Sequence, residues 1–283
     1  MALIIGFIIV LASVLGGYVL SHGEIAALWQ PFEILIIGGA AFGAFVVSNS
    51  VHTIKAVFAS LPSLVTGSKF NKAMYIDLLS LLYDIFDKSR KQGVMSIEAD
   101  VDDPHGSEIF TRYPAILKMP AVIEYITDYL RIISTGNMAS HELEGLMDLE
   151  IETRQTELEE PAHALQKVAD ALPGFGIVAA VLGIVITMGS LGGPPEMIGT
   201  HVAAALVGTF LGILLAYGFV GPMSSLMEHM VHAEVKALEC IKVSILATMG
   251  GMAPQMAVEF GRKVLFFDVR PKFQELNDHV KSR

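Results

Sequence analysis

Apolar residues in this chain are gathered into long blocks instead of alternating with polar ones. Four windows contain no Asp, Glu, Lys or Arg: 1–23, 34–54, 171–195 and 197–227. Each is long enough to cross a bilayer core, which takes about 20 helical residues. The sharpest apolar stretches predict spanning helices at about 3–20, 32–50, 172–190 and 201–220. Between the two pairs of spans the pattern changes. From Asn71 to Gln92, Met74, Leu78, Leu82 and Ile85 recur at helical spacing with charges between them, which predicts an amphipathic helix. Pro104, Gly106, Pro114 and Pro120 break up the stretch that follows. A second long helix is expected from about Ala139 to Leu172, capped by Ser140 with Glu142 and Glu144 in its first turn, and kinked or broken at Pro161.

The pattern predicts an all-α membrane protein of four parts: a hairpin over 1–54, a helical insertion over 55–170, a second hairpin over 171–222 and a helical tail over 223–283. Composition agrees, since 53% hydrophobic residues and a mean hydropathy of +0.56 exceed what an ordinary soluble domain carries. The first window lacks a basic leader and is soon followed by another apolar stretch, so it reads as a span and not a cleaved signal.

Charge placement sets the expected orientation. Eleven of the 19 Lys and Arg lie between Lys55 and Lys167, the other eight between Lys236 and Arg283, and the short loops at 21–31 and 190–200 have none. Basic residues are retained inside during insertion, so both termini and the insertion are expected in the cytoplasm. Tyr18 and Trp29 suit the outer aromatic belt. Nineteen acidic residues between Lys55 and Asp170 argue against nucleic acid as a partner. A lone Cys240 excludes an intrachain disulfide.

Motifs for soluble chemistry are weak. Gly174-Phe-Gly-Ile-Val-Ala179 imitates a dinucleotide fingerprint but lacks the preceding strand, and Glu228-His-Met-Val-His232 has no third ligand. No nucleophile with a base is evident, so no enzyme activity and no cofactor or metal are expected. The spans instead carry Gly39-Ala-Ala-Phe-Gly43 and Gly208-Thr-Phe-Leu-Gly212, pairs that let helices approach closely within or between subunits. Thr187, Thr209 and Tyr217 are the polar groups of spans three and four, and the threonine hydroxyls can bond a carbonyl one turn back. Ion passage through lipid ordinarily needs an ionisable group. The windows contain no carboxylate, so a conducting complex would take that group from a partner.

Several long strings carry a resemblance to a known family. Lys72-Ala-Met-Tyr-Ile-Asp-Leu-Leu-Ser-Leu-Leu-Tyr83, Lys88-Ser-Arg90, Ser107-Glu-Ile-Phe110, Glu150-Ile-Glu-Thr153, Leu172-Pro-Gly-Phe-Gly-Ile-Val-Ala-Ala180, Val207 to Gly218 and Ala257 to Lys263 resemble the MotA family of flagellar stator subunits over nearly the whole chain. The resemblance implies a homopentamer in the bacterial inner membrane around MotB, which supplies a protonatable aspartate. It implies proton flow converted into torque on the rotor protein FliG. Pro173, Ala180, Thr209, Tyr217 and Pro222 match the ion and coupling path, with Ala180 standing where sodium-driven relatives tend to have a threonine, so the transported ion is expected to be the proton. Arg90, Glu98, Lys88 and Glu150 match the rotor interface. The alternative is an energiser of envelope transport of the ExbB and TolQ type, which has three spans and not four.

Overall fold

The computed structural model describes residues 2–136, 138–189, 192 and 194–281. The expected end of span three at Ser190 and the last two residues of the tail fall outside them. Among the described residues there are helices and no strand. Among the described residues, eleven α-helices of five residues or more organise the chain: α1 Ala2–Leu20, α2 Pro31–Ser48, α3 Val51–Thr66, α4 Lys72–Gln92, α5 Glu98–Asp102, α6 Pro120–Thr135, α7 Ser140–Gly189, α8 Pro195–Leu215, α9 Gly221–Met249, α10 Pro254–Val264 and α11 Phe273–Lys281. They divide into two compact units, one of residues 1–67 and 158–230, the other of 68–157 and 231–283.

The first unit holds the apolar helices, four of which are long enough to cross a membrane. Its outward surface is aliphatic, including Leu35, Val47, Val185 and Leu206, as expected where lipid or other apolar protein replaces water. Its own core is thin. Ile37, Ala41, Leu172, Ala179 and Ala216 form one cluster, and Phe45, Val57, Leu64, Ala162, Ala164, Leu165 and Met227 another. Helix α1 buries none of its residues. It touches its neighbours through Phe7, whose ring lies 4.8 Å from that of Phe219, and through Val10 beside Gly218. Helix α3 starts on Ser50, whose hydroxyl accepts the Thr53 amide at 3.1 Å, while Thr53 donates to Glu160 at 3.0 Å.

The second unit is a water-soluble type of helical core. Helix α4 runs through its middle, burying Tyr75, Leu78, Leu79, Leu81, Leu82 and Ile85, which covers more of its circumference than the amphipathic stripe suggested. Asn71 caps it through the Met74 amide at 3.0 Å. Helix α10 packs on α9 so closely that a methyl on Gly261 would lie 2.8 Å from the Cys240 carbonyl.

Helix α7 contains Pro161 and Pro173 and still runs unbroken for 50 residues. The expected break at Pro161 does not occur: a proline removes one ladder bond, and neighbours hold the helix on both sides of it. In the first unit the buried Ser224 hydroxyl donates to the Ala162 carbonyl at 2.8 Å. The N-terminus of α7 also differs from expectation. Ser140 lies inside the helix, and Glu142 accepts the Ala139 amide at 2.9 Å, the reach-back half of a capping box.

Candidate functional site

The pairing of α7 with α8 is made by residues without side chains. A methyl on Gly176 would lie 3.0 Å from the Gly208 carbonyl oxygen and 3.2 Å from Gly212 Cα. One on Gly212 would lie 2.7 Å from the Leu172 carbonyl oxygen, and one on Gly183 would lie 2.8 Å from Ala205 Cβ. The two backbones therefore touch along three turns, as small residues permit in lipid. The second GxxxG pair serves this seam, whereas Gly43 has nothing within 4 Å and Gly39 meets Leu35 alone, at 4.0 Å. Gly176 of the dinucleotide-like string is helical and serves the same seam.

The seam places Ala180 and Thr209 on adjoining turns. Gly176 abuts Thr209 Cα at 3.4 Å and Gly208 abuts the Ala180 amide nitrogen at 3.6 Å, measured from the ideal Cβ of each glycine. Glu33 lies at the same point. Its Oε2 would be 3.1 Å from a methyl on Gly208, the residue is 8% exposed, and that oxygen has no hydrogen-bond partner. This corrects the expectation that the spans lack a carboxylate. Glu33 stands in the first turn of α2, inside the membrane-crossing stretch Ile25–Ser48. The charge-free window at 34–54 stops short of it, although the expected span at about 32–50 contains it. A carboxyl group shielded from water beside apolar helix backbone is costly unless it has a role or a partner.

The remaining positions of the expected path are spread along the helices. Pro173 is half-buried near the start of the seam and Pro222 is exposed. Pro222 lacks the N–H needed to continue an α-turn, and its ring crowds the carbonyl four residues back. Immediately before it the ladder widens into a π-turn over Ala216–Val220, closed by the Gly221 amide on the Ala216 carbonyl. Such turns concentrate at working sites in helices. Tyr217 lies in this turn and is 72% exposed, so it faces out of the chain instead of lining the seam. Thr187 bonds back to the Gly183 carbonyl at 2.8 Å.

In the second unit, Arg90 at the end of α4 and Glu98 at the start of α5 are both exposed. The other two expected interface charges are half-buried and bonded within the unit. The Lys88 ammonium donates to Asp100 at 2.6 Å, and Glu150 accepts the buried Tyr129 hydroxyl at 2.6 Å. A residue's neighbours across helices cannot be read from its own string. A polar cleft of about 730 Å³ opens at the end of α4, lined by Asp84, Asp87, Lys88, Lys91, Asp100 and Arg112, among others. Among the described residues no cluster of His, Cys, Asp and Glu is arranged to hold a metal.

Residues 125–240 match the MotA/TolQ/ExbB proton channel family, which gives the class: a membrane protein of the proton-channel type. Residues 4–93 match the motility protein A N-terminal family. The chain is 47% identical over 282 residues to motility protein A of Salmonella typhimurium, covering 100% of this chain and 96% of that one. The values for the Escherichia coli protein are the same. It is 39% identical over 272 residues to chemotaxis protein LafT of Vibrio parahaemolyticus, covering 96% and 95%. On these matches the chain belongs to the motility protein A family. Its fold is that of the MotAB structure from C. jejuni, with a TM-score of 0.78, 19% identity and 94% and 96% coverage. It is also that of the MotAB stator complex from Bacillus subtilis, with a TM-score of 0.71, 22% identity and 93% and 94% coverage.

Proposed function

We propose that this chain is the stator subunit of a bacterial flagellar motor, forming a homopentamer around MotB in the inner membrane and driving the rotor protein FliG with proton flow. The observation that carries the reading is the full-length likeness to motility protein A, joined to a seam of small residues at which Ala180, Thr209 and Glu33 meet. The basic residues, confined to 55–167 and 236–283, favour cytoplasmic termini and a cytoplasmic second unit.

The chemistry follows from that arrangement. A proton crossing the membrane does work of about 2.3 kcal/mol per 100 mV, several times thermal energy and enough to bias a step between packed helix arrangements. The partner's aspartate takes up and releases the proton beside α7 and α8. Glu33, shielded from water on the same seam, relays or positions the charge on the way. A methyl at Ala180 gives sodium no oxygen to bind, which favours the proton as the ion. The π-turn ahead of Pro222 supplies a compliant point between α8 and α9 through which a helix shift is passed on. Arg90 and Glu98 meet the rotor, where exposed pairs contribute about 0–1 kcal/mol each, so the contact is distributed and salt-sensitive.

The test is swimming of a deletion strain complemented with this chain, with an uncoupler collapsing the proton gradient at constant external sodium. Loss of motility is expected. Swimming that persists on sodium overturns the ion, and a deletion without effect on swimming overturns the stator reading. Reversing the rotor charges together, Arg90→Glu with Glu98→Lys, is expected to cut torque while membrane insertion stays normal.

A further inference from the structure

The end of α4 and the segment that follows it are joined by a small buried polar network. Asp100 is 7% exposed, and both its oxygens are used: Oδ2 accepts the Lys88 ammonium at 2.6 Å and Oδ1 accepts the Ser107 hydroxyl at 2.6 Å. The Ser107 oxygen in turn accepts the amides of Ile109 at 3.1 Å and Phe110 at 3.3 Å. One carboxylate thus ties together α4, α5 and the turn at 107–110. Lys88 comes two residues before Arg90, and Asp100 two residues after Glu98.

This segment needs an external anchor. It leaves α4 through Gly93 at φ 87°, makes one 3-10 turn at Val94–Ile97 and continues as the five-residue helix α5. A helix that short has no stability of its own. Ile97, Val101 and Phe110 bury their side chains beneath it. That burial is non-directional and fixes depth more than register. A charge-assisted hydrogen bond is short and directional, so the Lys88–Asp100 pair fixes the register.

We infer that Lys88, Asp100 and Ser107 form a clamp that sets the spacing between Arg90 and Glu98, which makes Lys88 and Asp100 positioning residues of the rotor-facing surface and not contacts on it. The inference rests on the proposed role of Arg90 and Glu98. It accounts for a half-buried lysine in the Lys88-Ser-Arg90 string whose charge is paired with Asp100 of the same unit.

The test uses the full chain in its complex with MotB and has two readouts. Amide exchange measured by mass spectrometry reports the clamp itself. Torque per stator unit, read from stepwise speed increments of a bead on a single motor, reports its consequence. Asp100→Asn and Lys88→Met are expected to speed exchange over 94–112 by about tenfold, to leave exchange in the spans unchanged, and to lower torque per step severalfold. Lys88→Arg, which keeps the charge, is expected to restore both. In an Arg90→Glu, Glu98→Lys background, Asp100→Asn is expected to add no further loss. Unchanged exchange in Asp100→Asn overturns the clamp. Faster exchange with full torque per step, or an added loss in the reversed background, overturns its positioning role. Full torque in the Arg90→Glu, Glu98→Lys variant alone overturns the rotor-surface reading instead, with the exchange result standing apart.

Discussion

Gly212→Ala probes the seam where the two helices come closest. The new methyl would lie 2.7 Å from the Leu172 carbonyl oxygen and 3.0 Å from Gly176 Cα, whereas carbon-to-oxygen contacts between helices settle at about 3.3–3.6 Å. The shortfall at the oxygen is therefore about 0.6–0.9 Å. Both opposing atoms are backbone, so no rotamer change relieves it and α7 must move off α8. A gap of about 0.5–1 Å forfeits a quarter to a half of each dispersion contact it opens. The contacts at Gly176 with Gly208 and at Gly183 with Ala205 lie on the same seam and share the loss. Overpacking of this kind costs about 1–3 kcal/mol, and lipid supplies no hydrophobic drive to close the gap again. Gly39→Ala is the control, because its methyl meets just Leu35 at 4.0 Å and both variants share the helix-propensity gain of about 1 kcal/mol. The assay is SDS-induced unfolding of the purified chain in mixed micelles, followed by helix content. Equal unfolding midpoints for Gly212→Ala and Gly39→Ala would refute the seam as a packing determinant.

Three further outcomes are expected. Glu33→Gln removes an ionisable group from an apolar surrounding, so the chain should fold at least as well while swimming slows; unimpaired speed in that variant removes Glu33 from the ion path. Burial pushes the Glu234 carboxyl up from 4.5, against the opposing pull of Arg154 and Lys69. The fold thus holds that proton more tightly than the unfolded chain does, and stability falls as pH rises from 4.5 through the raised value. Glu234→Gln should therefore melt higher than the parent at neutral pH, with the gap closing below pH 4.5, and a gap that stayed constant with pH would contradict this. Cys240 is fully buried and its thiol is pushed up by that burial, so a maleimide should label the chain after denaturation but not before, and native labelling would show the α9 core to be open.

The spans were legible because a missing charge is a one-dimensional signal: nothing in the fold can hide 20 uncharged residues. The same rule misled at Glu33, since a carboxylate one turn inside a helix looks like the end of a window. The two GxxxG pairs show a second limit. Gly39 with Gly43 and Gly208 with Gly212 have the same local pattern, yet just the second meets a backbone within the chain. Which helix faces which is a tertiary fact with no local trace. Lys88 and Glu150 are a third case. Their strings mark them as important, and their bonds to Asp100 and Tyr129 give a reason that does not require an exposed surface. Arg90 and Glu98 are exposed, and nothing in the pattern of the sequence separates them from Lys88 without the fold.

Helix α1, which buries no residue, carries a consequence for sequence tolerance. Its place is held by partition into lipid and by contacts along one side, among them those of Leu3, Phe7 and Val10. The free energy of inserting an apolar helix depends on the sum over its residues and hardly on their order. Most of its 19 positions can thus be shuffled among Leu, Ile, Val and Ala at little cost, while α7 and α8 tolerate no such shuffling along the glycine seam. Within one small chain, one helix is specified by its composition and another by its order.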